Sequence, residues 1–192
     1  MRTILLTSLL CLSFSAAAEA QGSARAFLEA QHAQANRVLE RAEGPARERE
    51  LTGLLNELLD YDALSQAALA DHWEAQSDEA RAEFVSTLRQ LVERSYRANL
   101  QRTFNFDVSY ENDQRRGQRV LVATMARSRQ NRRAPPVSID YTLVRDGRRW
   151  RVVDITTDGQ SLVEGYRAQF NRLIEREGWD GLMSRMRRRL EG

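Results

Sequence analysis

The hydrophobic period of this chain changes near residue 104, and that change limits its fold more than any other feature. Before it, apolar residues recur at spacings of three and four. Leu51, Leu54, Leu55, Leu58 and Leu59 form one such stripe, and Phe84, Leu88, Leu91, Val92, Tyr96 and Leu100 form another. Both patterns predict amphipathic helices. From Phe104 the apolar residues alternate: Phe104, Phe106, Val108 and Tyr110 are separated by Asn105, Asp107 and Ser109. A period of two predicts a half-buried strand. Gln118–Arg127, Val137–Leu143 and Trp150–Thr156 continue as strands. They are separated by turn chemistry at Asp113–Gly117, Ser128–Pro136 and Asp146-Gly147. Short turns between consecutive strands predict an antiparallel meander.

The flanks are helical. Ser23–Ala42 carries a loose apolar stripe, and Gly44-Pro45 separates it from the next helix. Asp62 is a candidate cap for a short helix ending near Ala70, and Ser77 for the long helix reaching about Arg102. After the strands, Ser161 with Glu164 matches a capping box. That helix stops at Gly178, and a last one follows from Asp180 to Leu190. The expected fold class is α+β: several N-terminal helices, a four-stranded twisted antiparallel sheet and two C-terminal helices.

The first 20 residues read as a cleaved secretory signal. Arg2 supplies the charge, Ile4–Phe14 the apolar run, and Ala16, Ala18 and Ala20 the small residues of the cleavage site. The only cysteine, Cys11, lies within this leader. Residues 21–192 then form a single domain without thiol chemistry, in the periplasm. All 29 basic side chains are arginine. They are unevenly spread: Glu19–Leu100 holds 9 arginines against 15 acidic residues, and Gln101–Gly192 holds 19 against 12. Such asymmetry can orient a chain toward an anionic surface or an acidic partner.

No catalytic constellation is visible. His32 and His72 lack the partner spacing of a zinc site. Gly159-Gln160-Ser161 lacks the second glycine of a nucleophile elbow. No phosphate-cradling glycine loop occurs. The arginines lie mainly at turns and at the C-terminal end without interleaved aromatics, which argues against a nucleic-acid partner. The expectation is a chain that is not an enzyme and needs neither cofactor nor metal.

Several segments, taken in order, are familiar together. Tyr61-Asp62-Ala63-Leu64, Ala67-Ala68-Leu69, His72-Trp73 and Ala80–Val85 come first. Pro136–Tyr141 follows, then Trp150–Ile155, Asp158–Val163 and Tyr166–Phe170, with Gly178, Gly181 and Leu182 near the end. In this order they resemble the MlaC family, also called the toluene-tolerance auxiliary proteins, over roughly Asp60–Leu190. Ala70 departs from the pattern, standing where the family is expected to carry glycine. The arginine-rich turn Ser128–Pro136 departs as well. The resemblance implies a periplasmic phospholipid carrier that shuttles lipid between the outer and inner membranes and maintains outer-membrane lipid asymmetry. The partners it implies are an inner-membrane ABC transporter with an MCE-domain subunit and an outer-membrane lipoprotein complex, with transient membrane contact. The alternatives are a ligand-free envelope interaction or assembly module, and an enzyme on a similar cone-shaped α+β fold.

Periodicity alone is compatible with an ordinary packed core, and equally with a cavity enclosed between the sheet and the helices. Its expected lining is Phe84, Leu88, Leu91 and Tyr96 from the long helix; Phe106, Val108, Tyr110, Val120, Val122, Val137, Ile139, Tyr141, Val153 and Ile155 from the strands; and Leu162, Tyr166 and Phe170 from the C-terminal helix. Arg132 and Arg133 are the expected contacts for a head group or partner.

Overall fold

The computed structural model describes residues 22–103 and 105–191. The expected leader and Phe104 lie outside the described residues, as does the side chain of Leu100. Five α-helices surround one face of an antiparallel sheet: α1 (Ala24–Leu39), α2 (Pro45–Leu58), α3 (Tyr61–Leu69), α4 (Asp78–Thr103) and α5 (Leu162–Glu191). The four expected strands are the long ones, β1 (Phe106–Tyr110), β3 (Arg119–Ser128), β4 (Val137–Asp146) and β5 (Arg149–Thr157). Two short strands join them, β2 (Gln114–Arg116) and β6 (Gln160–Ser161). The sheet order is β1-β3-β4-β5-β6, with β2 beside β3 above β1.

Local chemistry sets the element ends. Asp146 pairs with Arg149 across a two-residue loop, and Gly147 takes the positive φ of 58° that such a turn favours. Ser77 Oγ accepts from the Ala80 amide at 3.2 Å, and Ser161 Oγ from the Glu164 amide at 3.1 Å. Two expectations are corrected. Asp60, not Asp62, caps α3, accepting from the Ala63 amide at 2.9 Å; Asp62 sits one step inside the first turn. The segment Asp113–Gly117 is not all turn, because Gln114–Arg116 finds free ladder positions on β3. As expected, Gly178, with a φ of 70°, stops the first C-terminal helix; a second begins at once beyond it, so α5 is two helices meeting at a kink.

Three apolar clusters hold the fold. The first packs Leu28 of α1, Leu55 and Leu59 around α2, Leu64 of α3 and Val85 of α4 onto Val120, Val122, Leu143 and Val152 of the sheet. The second lies among helices alone: Leu69, Phe84, Leu88, Phe170, Leu182 and Met183 join α3, α4 and α5. The third joins Val38 of α1 to Leu51 and Leu54 of α2. The stripe of α4 therefore divides. Phe84, Leu88 and Leu91 face α5, Val85 and Tyr96 lie on the side of the sheet, about 100° further round at 100° per residue, and Val92 packs against both clusters.

No helix among the described residues is long and apolar enough to cross a membrane.

Candidate functional site

The inner face of the sheet is covered unevenly. Val120, Val122, Leu143 and Val152 lie under the packed helices and are fully or almost fully buried. Further along the same strands the helices stand off, leaving a cavity of about 600 Å³. That size lies within the range typical of ligand sites, about 300–1,000 Å³. Its walls are Phe106, Val108 and Tyr110 of β1, Thr124 and Ala126 of β3, Val137, Ile139 and Tyr141 of β4, and Ile155 of β5. Facing them are His32, Ala35, Asn36 and Leu39 of α1, Leu55, Leu58 and Leu59 around α2, and Tyr96 of α4. Ala33, Asp107 and Arg129 are exposed lining residues, so the opening runs along α1 and the edge strand β1. Arg129 Nε donates to Asp107 Oδ1 at 2.6 Å on that rim.

A polar group is set into the apolar wall. His32 Nδ1 lies 2.5 Å from the Tyr110 hydroxyl, and its Nε2 lies 3.3 Å from the Tyr141 hydroxyl. Burial pushes the imidazole below its ordinary value. Burial likewise raises the Tyr110 phenol to about 12, assisted by Glu29, and pushes Tyr141 further up. All three side chains therefore stay neutral at physiological pH. Thr124 Oγ1, also buried, donates to the Ile139 carbonyl at 2.6 Å and makes no demand on the cavity.

Of the expected lining, Tyr96, Phe106, Val108, Tyr110, Val137, Ile139, Tyr141 and Ile155 are brought together here. The others lie elsewhere. Val120 and Val122 point to the same side of the sheet but sit in its packed half. Val153 is the extra residue of a β-bulge, where Leu143 pairs with Val152 and Thr142 with Asp154. Phe84, Leu88 and Phe170 belong to the helical cluster, with Phe84 and Phe170 edge to face at 5.5 Å. Leu91 and Tyr166 pack against that cluster beside an arginine-lined surface groove, and Leu162 is 40% exposed. Arg132 and Arg133 are exposed in the β3–β4 turn and do not line the cavity; Arg129, from the same segment, does.

The α1 wall was not legible. Its stripe is weak, and His32 reads locally as a polar helix residue. Asn36, Ala33 and Ala35 are small or polar, and nothing in their local sequence marks them as cavity wall.

Among the described residues no group of three or more His, Cys, Asp or Glu side chains could hold a metal ion.

Comparison with known proteins decides the family. A family model described as MlaC protein matches residues 29–188. The chain belongs to the MlaC family. No curated protein matches it in sequence. Among solved structures, a phospholipid-binding protein from Ralstonia solanacearum, in complex with a phospholipid, is similar with a TM-score of 0.74 and 22% identity. The match covers 88% of this chain and 98% of that one. At that identity the likeness establishes the fold. The family match also takes in most of α1, from residue 29, although that helix lies wholly outside the sequence resemblance over Asp60–Leu190.

Proposed function

We propose that this MlaC-family protein binds a phospholipid in the cavity between α1 and the sheet, and carries it between membranes without altering it. The observation that carries the reading is the cavity itself: about 600 Å³, lined mainly by aliphatic and aromatic side chains, in a fold whose solved neighbour is a phospholipid-binding protein with its phospholipid. The energetics favour enclosure. Two acyl chains carry about 30 methylenes, and exposing them to water costs on the order of 25 kcal/mol at about 0.8 kcal/mol each. An apolar cavity offers surroundings close to those of a bilayer, so exchange between the two can be near neutral.

The leader-like N-terminus supports export, and with it a periplasmic location. In that compartment the carrier would shuttle lipid between the outer and inner membranes and support outer-membrane lipid asymmetry. Its partners would be an outer-membrane lipoprotein complex and the MCE-domain subunit of an inner-membrane ABC transporter. Arg132 and Arg133, exposed in the β3–β4 turn, are proposed to meet a head group or a partner.

The test is native mass spectrometry of the mature protein, isolated from a bacterial periplasm without detergent. The expected result is a mass increment that extracts into organic solvent as phospholipid. A bare polypeptide mass, repeated after incubation with phospholipid vesicles, would overturn the reading.

A further inference from the structure

We propose that Tyr110, His32 and Tyr141 form a hydrogen-bonding anchor for an acyl-ester oxygen of the lipid in the cavity. This inference rests on the phospholipid reading and names what the protein recognises beyond apolar bulk.

The three side chains hold one more polar hydrogen than their mutual contacts use. A neutral imidazole has one N–H and one acceptor nitrogen, and each phenol has one O–H. The three groups together hold three polar hydrogens. Two contacts join them, His32 Nδ1 to Tyr110 and His32 Nε2 to Tyr141. Each contact uses one hydrogen, so one is left over. In one tautomer Tyr110 donates to Nδ1, Nε2–H donates to Tyr141, and the Tyr141 hydroxyl hydrogen remains. In the other, Nδ1–H donates to Tyr110, Tyr141 donates to Nε2, and the Tyr110 hydrogen remains. Both tyrosines line the cavity, so in either tautomer the remaining donor belongs to a cavity wall. Burial keeps the imidazole neutral, which maintains the count.

A donor left unpaired in such a wall is costly. An alkyl chain cannot satisfy it, but a carbonyl oxygen can. Position narrows the class. The three side chains pass from the half-buried Tyr110, beside the opening at Ala33, to Tyr141, only 9% exposed. An amphiphile with its polar end outside and its chains inside brings its ester linkages to this crossing. Its phosphate would stay further out, in solvent.

The experiment compares two phosphatidylcholines of equal chain length, one with ester-linked and one with ether-linked chains, competing for the delipidated protein. Both carry the same phosphate and choline, so head-group contacts cancel. The expected result is tighter binding of the ester lipid by about five-fold, the equivalent of one neutral hydrogen bond of about 1 kcal/mol. A Tyr110→Phe/Tyr141→Phe double variant, which keeps the ring shapes, should bind both lipids alike. Equal binding of the two lipids by the unaltered protein would overturn the anchor while leaving the phospholipid reading intact. So would a preference that persists in the double variant. Binding of neither lipid would overturn the phospholipid reading and the anchor together.

Discussion

Ala70 follows α3 with φ 46° and ψ −115°, a conformation that glycine adopts freely and a Cβ resists. It is also the position where the family resemblance leads one to expect glycine. The backbone shows that the departure carries strain. Residues held in such sparsely populated regions cost on the order of 1–3 kcal/mol. Replacing Ala70 by Gly removes that strain but returns some entropy to the unfolded chain, about 0.4–1 kcal/mol. Ala70→Gly should therefore raise the stability by about 1 kcal/mol, read as a higher urea midpoint at unchanged slope. A lower midpoint would show that the strain is absent. His32 makes the opposite kind of statement, in which burial acts through a proton. Its folded pKa lies below the ordinary 6.5, so on acidification the unfolded chain takes up the proton first. The native state should lose stability as pH falls through 6.5, and the loss should end once pH is below the folded pKa. Above 6.5 the imidazole contributes no pH dependence. The other titratable groups lining the same cavity are Glu29, Tyr96, Asp107, Tyr110, Arg129 and Tyr141. The tyrosines do not titrate in this window, so a His32→Phe variant isolates the effect. Urea titrations between about pH 5 and pH 7 should show a shallower pH slope in the variant than in the parent. Equal slopes would mean that His32 is not held neutral by burial.

The position of α1 depends on a contact that no local pattern announces. Asp113, from the loop after β1, accepts from the Ala24 amide at 3.0 Å and the Arg25 amide at 2.9 Å. Both are among the first amides of the helix, which have no partner within it. Ser23 meets a third, accepting from Ala26 at 3.1 Å. A carboxylate here also suits the helix dipole. In the sequence Asp113 reads as a turn residue, because its partner lies almost ninety positions away. The same holds for several arginines, whose count is legible but whose use is not. The Arg167 guanidinium donates to the Ala67 carbonyl at 3.0 and 2.8 Å, near the end of α3. Arg151 donates to the Asn56 and Glu57 carbonyls at 2.8 and 2.6 Å, near the end of α2. Part of the basic excess in the second half is thus spent on carbonyls at helix ends rather than offered to a partner. Elements with strong periodicity, such as β1 and α4, were legible because a single local rule dictates them. Elements placed by distant polar contacts were not. Asp113→Ala should cost about 1–2 kcal/mol, the usual scale for losing a helix cap. Because α1 is a cavity wall, the variant should also release bound lipid faster. A dissociation rate equal to that of the parent protein would show that the cap stabilises α1 without setting the cavity.

At the scale of the whole molecule, one sheet face does two jobs, and the sequence pattern is the same for both. Val120, Val122, Thr124 and Ala126 alternate along β3 with their outward neighbours in an unbroken period of two. The first two lie beneath packed helices, and the last two line the cavity. Alternation reports which face a residue occupies; whether a helix touches that face depends on the tilt of α1 and α2, which no residue on β3 encodes. This is why Val120 and Val122 were grouped with cavity residues by their spacing. The division predicts opposite responses to one chemical change. Val122→Phe adds bulk where no space exists, and overpacking of that kind costs about 1–3 kcal/mol. Ala126→Phe adds still more bulk, but where about 600 Å³ is open. Its ring gains apolar contacts in the empty protein, so delipidated Ala126→Phe should melt at or above the parent temperature. In the lipid-loaded protein the ring competes with the acyl chain. Since a ligand stabilises only in proportion to its binding, the melting increment that lipid confers should shrink. Val122→Phe should lower the melting temperature of the empty protein and leave the lipid increment largely intact. Thermal melts of both variants, with and without phospholipid, give the four values needed. If Ala126→Phe destabilises the empty protein as much as Val122→Phe does, the helices close over the whole sheet in solution, and the cavity is not the resting state of the fold.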